Sequence, residues 1–213
     1  MTSIKRQALP AKILETLAQT HSRLIVAIAG PPGAGKSTLS ASLKEAINGA
    51  GAGPAIVVPM DGFHLDDAIL DQRGLKSRKG SPPTFDCTGF RALLQRLKSD
   101  EAEIFIPLFD RSLELSRAAA SVVLPEHRIL LVEGNYLLLD DAPWSSLMHF
   151  FDLSIFLDVP FAELESRLVK RWLDHGFDHK SALERALSND IPNAKTVVSR
   201  SRQADFVVSY AAL

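Results

Sequence analysis

Residues 23–38 read RLIVAIAGPPGAGKST, and this stretch decides the fold. Its first part, 24–29, is apolar without alternation, the pattern of a strand covered on both faces. It runs into Gly30-Pro31-Pro32-Gly33-Ala34-Gly35-Lys36-Ser37, which matches G-x-x-x-x-G-K-[ST] at every constrained position. From Lys36 onward the period becomes helical, with Leu39, Leu43, Ala46 and Ile47 on one stripe. Strand, glycine-rich loop and helix in that order build a phosphate cradle. Glycines let backbone N–H groups curl around phosphate oxygens, and the helix N-terminus adds a favourable dipole. Gly30, Gly33, Ala34, Gly35, Lys36, Ser37 and Thr38 are therefore expected to hold a nucleotide. Lys36 would reach its β- and γ-phosphates, and the Ser37 hydroxyl would sit on Mg2+. The expected nucleotide is ATP, because the chain carries no Asn-Lys-x-Asp tetrad for reading guanine. Asp71-Gln72-Arg73-Gly74 spells D-x-x-G, but it lies in a polar helical segment and not directly after a strand.

Working outward, further strands are expected at 55–60 (AIVVPM), 104–109, 128–132 (RILLV), 151–159 and, briefly, 206–208. Helical periods separate most of them, notably at 89–98 and 161–175, and an opening helix at 8–21 places Leu9, Ile13, Leu14 and Leu17 on one face. The helix after the cradle should end near Gly49, Gly51, Gly53 and Pro54. Strands alternating with helices, with unalternating apolar strands, mean an α/β fold with a mostly parallel sheet. At roughly 150 residues per domain, the 213 residues read as one domain over 1–213, with a polar loop insertion at about 62–90 around Pro82-Pro83.

Composition narrows the function classes. Lys plus Arg number 24 against 25 Asp plus Glu, so no global field draws the chain to nucleic acid or an anionic membrane. Aromatic residues are 7% and form no stacking pattern, which also disfavours nucleic acid. A single cysteine, Cys87, excludes an internal disulfide and fits a reducing compartment. The first residues lead into an amphipathic stretch and not an apolar signal core, and no apolar run approaches the ~18 residues of a membrane span. A cytoplasmic protein is expected.

Two acids stand at strand ends, where a parallel sheet places its ligand crevice. Asp61 follows 55–60 and is placed to accept a proton from an acceptor hydroxyl; capping the next helix is the competing role. Glu133 ends 129–132 and is followed by Gly134-Asn135, which suggests close approach of a ligand; such an acid holds Mg2+ or orients the attacking group. Arg73, Lys76, Arg78 and Lys79 form a basic loop that either holds an anionic acceptor or is simply solvated. Arg111 and Arg117 follow the strand end Phe109-Asp110 and could close the acceptor site.

Taken in order, GPPGAGKST (30–38), MDGFH (60–64), KGSPPTFD (79–86), PLFD (107–110) and VEGN (132–135) resemble the superfamily of uridine kinase, phosphoribulokinase and bacterial pantothenate kinase. The resemblance runs from about residue 24 to the C-terminus. It is closest to a bacterial branch of fructose-transport-kinase or fructokinase-like proteins, which share the compact length and the stretch Asn189-Asp190-Ile191-Pro192-Asn193-Ala194. It implies a P-loop NTPase fold with a five-stranded parallel sheet, helices on both faces and a helical lid at about 165–190. It implies an ATP- and Mg2+-dependent kinase with Asp61 as base, Lys36 and Ser37 on phosphates and metal, and Glu133 on metal or substrate. Motif matching places His64, Phe85 and Asp86 beside Asp61, with Lys79, Arg117 and Asn135 as further acceptor contacts. Arg167, Lys170 and Arg171 share one helix face where the lid belongs, and the two arginines would stabilise transferring charge. The segment 193–202 would border the adenine, and Trp172 is read as packing. Fructose is the leading acceptor, with pantothenate and uridine as alternatives; a non-enzymatic ATP-dependent regulator is the reading from another class. Expected partners are ATP and a small-molecule acceptor, with a homodimer left open.

Overall fold

Unalternating apolar strands need cover on both faces, and the chain supplies it by returning a helix after most of them. The computed structural model describes residues 2–51, 54–99 and 101–210; Gly53 lies outside them. The N-terminal part holds β1 (Thr2–Ser3), α1 (Leu9–Ala18), β2 (Leu24–Ala29), α2 (Lys36–Gly49) and β3 (Ala55–Pro59). Next come α3 (Asp67–Gln72), α4 (Cys87–Leu97), β4 (Ile104–Asp110), β5 (Leu115–Val123) and β6 (Ile129–Gly134). The C-terminal part holds β7 (Leu153–Asp158), α5 (Phe161–Asp174), α6 (His179–Arg185), α7 (Ile191–Arg200) and β8 (Phe206–Ser209).

One sheet takes six strands in the order β1-β8-β7-β2-β6-β3. Every pairing in it is parallel. Five of them are the expected set with one exchange, and the sixth is the two-residue edge β1. The exchange concerns β4. It was expected in this sheet but pairs antiparallel with β5 in a separate ribbon. The reason is visible in its side chains: Ile104 and Ile106 are buried whereas Phe105 between them is exposed, so only one face is covered. An antiparallel ribbon tolerates that and a central parallel strand does not.

β2 occupies the middle of the sheet, and all its residues are fully buried. Ile25, Ala27 and Ala29 enter one core with Phe90, Leu94 and Trp144. Leu24, Val26 and Ile28 enter the other with Ile13, Leu43 and Leu168. Register then fixes the ligand edge: Ile28 lies opposite Glu133, and Glu133 lies opposite Pro59. The loop after β2, the acid ending β6 and the turn after β3 thus open onto one edge.

That turn, Met60–Phe63, passes tightly under the ribbon. A Cβ at Gly62 would run into the backbone carbonyl of Pro107. Gly62→Ala is expected to cost about 1–3 kcal/mol or more from overpacking, read as a lower urea midpoint with unchanged slope; an unchanged midpoint would mean the turn gives way freely. Among the described residues, no helix is long and apolar enough to cross a membrane.

Candidate active site

The cradle adopts its shape because three of its residues need a backbone that other side chains resist. Gly30 has φ 153°, Gly33 φ 81° and Gly35 φ 93°. Gly35 precedes the first turn of α2, whose N–H groups open towards the cleft. Ala34 is fully buried and offers only its backbone, whereas Ser37 and Thr38 are exposed. Lys36 is buried, and its Nζ donates to Pro31 O at 3.0 Å. Burial pushes it down to about 8, against the opposing pull of Glu133 and then Asp61. Glu133 is pushed up to about 7 by burial and by the Asp61 charge, with Lys36 opposing. Lys36 and Glu133 thus share one desolvated space, and the Asp61 charge acts on both.

A cleft of about 300 Å³ lies above the cradle, lined by Gly33, Gly35, Lys36, Ser37, Glu133 and Asp61. A smaller pocket of about 110 Å³ adjoins it, lined by His64, Lys79, Phe85 and Phe109 among others. Asp61, Arg111, Asn135 and Arg171 line both. Asp61 therefore stands at the junction, with its Oδ2 accepting from an Arg111 guanidinium nitrogen at 2.9 Å. The competing role for Asp61, capping α3, falls to Asp66, which accepts from Ala68 N.

The pocket has an aromatic floor. The His64 ring sits 4.1 Å from Phe85 and 4.6 Å from Phe109, centroid to centroid. His64 Nδ1 is 2.8 Å from Asp61 O, so that nitrogen carries the proton; burial lowers the pKa and keeps the ring neutral. Lys79 donates to Asp67 at 2.7 Å and to Glu114 O at 2.8 Å, with the Glu114 carboxylate at 3.4 Å. The rest of the basic loop divides: Lys76 pairs with Asp71, Arg78 donates to Ser188 O, and Arg73 is exposed. On the α5 side, Arg167 donates to Gly33 O at 3.2 Å and Arg171 pairs with Asp190 at 3.2 Å. Lys170 turns outward to Asp174.

Two expected acceptor contacts are elsewhere. Asp86 lines neither cavity; it caps α4, accepting from Gly89 N at 2.8 Å. Arg117 is exposed and pairs with Asp110, because β5 carries it away from the cleft that Arg111 enters. Of the segment expected along the adenine, Asn193 lines the smaller pocket, and Arg200 and Arg202 pair with Asp141 and Asp140. Trp172 packs, but it also walls the pocket, and its Nε1 donates to Asp190 at 2.6 Å. Asp190 had no assigned role in the sequence, and Asn193 was expected only along the adenine. Their signal was polarity at positions that a helical stripe would bury, and both are buried.

A family model described as Phosphoribulokinase / Uridine kinase family matches residues 25–211. A solved structure from Silicibacter sp. TM1040, described as a candidate fructose transport system kinase, superposes with a TM-score of 0.91 at 47% identity, covering 96% of this chain and 99% of that one. The protein YggC of Escherichia coli K12 is 36% identical over 188 residues, 87% of this chain and 77% of its own. A candidate uridine kinase of Schizosaccharomyces pombe is 33% identical over 200 residues, 90% of this chain and 85% of its own.

Proposed function

The chain belongs to the phosphoribulokinase/uridine kinase family of P-loop kinases, and we propose that it transfers the γ-phosphoryl group of ATP to a hydroxyl of a hexose-sized sugar, fructose foremost. The observation that carries this reading is the meeting of a phosphate cleft and a small acceptor pocket at one carboxylate, Asp61. An acceptor hydroxyl in the pocket gives its proton to Asp61 as its oxygen bonds to the γ-phosphorus and the bond to the leaving ADP oxygen breaks. Lys36, Arg167 and Arg171 meet the charge on the transferring and leaving oxygens. Ser37 and Glu133 fit magnesium; among the described residues no cluster of three or more His, Cys, Asp or Glu would cage a metal alone, so phosphate oxygens and water would complete its shell. The ion would neutralise phosphate charge there.

Two features favour a neutral sugar. Asp67 and Glu114 already compensate Lys79. The aromatic floor suits the C–H face of a ring. One feature favours an acid such as pantothenate: Arg185 lines the pocket over Trp172 and has no ion pair among the described residues.

The test is ADP release with Mg2+ and ATP against fructose, other hexoses, pantothenate, uridine and no acceptor. Stimulation by fructose or a related hexose is expected. Stimulation by pantothenate alone would move the assignment to the acid, and uniform slow hydrolysis across the panel would replace the kinase by an ATP-dependent regulator.

A further inference from the structure

The stretch Asn189–Asp190 has no place in the chemistry above, yet both residues are buried, at 7% and 6% exposure. They end a π-helical turn, Ala186–Asp190, an irregularity that recurs at functional positions. Their side chains reach two different parts of the site. Asn189 Nδ2 donates to Lys79 O at 2.7 Å. Beside it, Ser188 O accepts from Arg78 at 3.0 Å. The acceptor loop is held on its other side by the Tyr136 hydroxyl, which donates to Gly80 O at 2.6 Å. Asp190 turns instead to α5: its Oδ2 accepts from Trp172 Nε1 at 2.6 Å and pairs with Arg171 at 3.2 Å. Lys79 lines the acceptor pocket, and Arg171 lines both the pocket and the phosphate cleft.

We infer that Asn189 and Asp190 are a positioning pair that ties the acceptor loop to Arg171, so that an acceptor seated against Lys79 sets the arginine for transfer. The inference rests on the reading of 165–190 as the lid over ATP. Consecutive buried residues ending one short turn do not move independently, so a shift of the 78–80 backbone is delivered to Asp190 within one residue. Each partner alone is an ordinary hydrogen bond; the pair acts because one turn makes both.

The experiment uses Asn189→Ala, which frees Lys79 O, and Asp190→Asn, which still accepts from Trp172 but loses the charge facing Arg171. Each is expected to lower acceptor-dependent kcat by about tenfold; Asn189→Ala, which releases only the acceptor loop, should hold the KM for ATP and acceptor-free ATP hydrolysis near the parent values. The double variant should be no worse than the worse single one. Independent, multiplying losses would overturn the pairing, and so would a parallel fall in acceptor-free hydrolysis in the Asn189 variant. Should Asn189→Ala fail to fold, Asn189→Ser serves, since its hydroxyl is too short to reach Lys79 O. A second arm needs no acceptor. With a non-hydrolysable ATP analogue, hydrogen exchange in the parent should slow together in α5 and in residues 76–85. In the Asn189 variant it should slow in α5 alone. Equal protection of 76–85 in parent and variant would overturn the inference. A parent that no acceptor stimulates would sink the sugar assignment and leave the exchange arm to decide this one.

Discussion

Asp61→Asn is expected to cut acceptor-dependent transfer about 10²- to 10⁴-fold, the usual contribution of a positioned general base, and to leave ATP binding in place. Asn has nearly the shape of Asp and still accepts a hydrogen bond, so Arg111 keeps a partner and the turn Met60–Phe63 keeps its path. What it lacks is a basic oxygen for the attacking hydroxyl's proton. Two readings separate cleanly: kcat with acceptor, and the Kd of ATP from quenching of intrinsic fluorescence. Transfer within about tenfold of the parent would be too small a loss for a base. Asp61 would then serve only to hold Arg111.

The second large effect is Lys36→Met. Transfer is expected to fall about 10²- to 10³-fold, the scale seen when one charge-stabilising donor is removed, with weaker ATP binding alongside. Stability should move the other way. Burial holds Lys36 near 8 instead of its usual 10.5. A lysine lowered in the folded state is unfavourable wherever the unfolded chain would carry its charge. That penalty is complete below about 8 and fades as pH rises towards 10.5. At neutral pH the empty methionine variant should therefore melt no lower than the parent, its unbranched side chain filling the same space. A variant that melts clearly lower would mean that the Nζ contact to Pro31 O supports the loop more than burial strains it.

How much of this was legible depended on whether the cause was local. β2, the cradle and α2 were readable because burial on both faces, left-handed glycines and a helical stripe all leave marks within a few residues. The junction role of Asp61 followed from strand ends facing one edge. β5 was not readable: its residues Leu115–Val123 are dominated by alanine and serine and largely exposed, and only pairing with β4 makes them a strand. That ribbon also decides which arginine enters the cleft. Phe109 lies opposite Ser116 and Leu108 opposite Arg117, a register no local pattern states, and it sends Arg117 outward while Arg111 reaches Asp61. Asp86 looked like a ligand through its neighbours in the motif, but a cap forms over three residues and needs no site.

The central place of β2 has a consequence for how the protein is made. Its flanking partners are β6 and β7, so Leu24 must wait for Ile129 and Val26 for Leu153 before the strand is enclosed. On a ribosome adding about 5–20 residues per second, the cradle emerges early as a sticky apolar segment with both hydrogen-bonding edges bare. Only when most of the chain has been translated can it be covered. Such distant pairing slows folding and lengthens exposure to wrong partners. The strand that carries the nucleotide's landing place is thus made early and covered late.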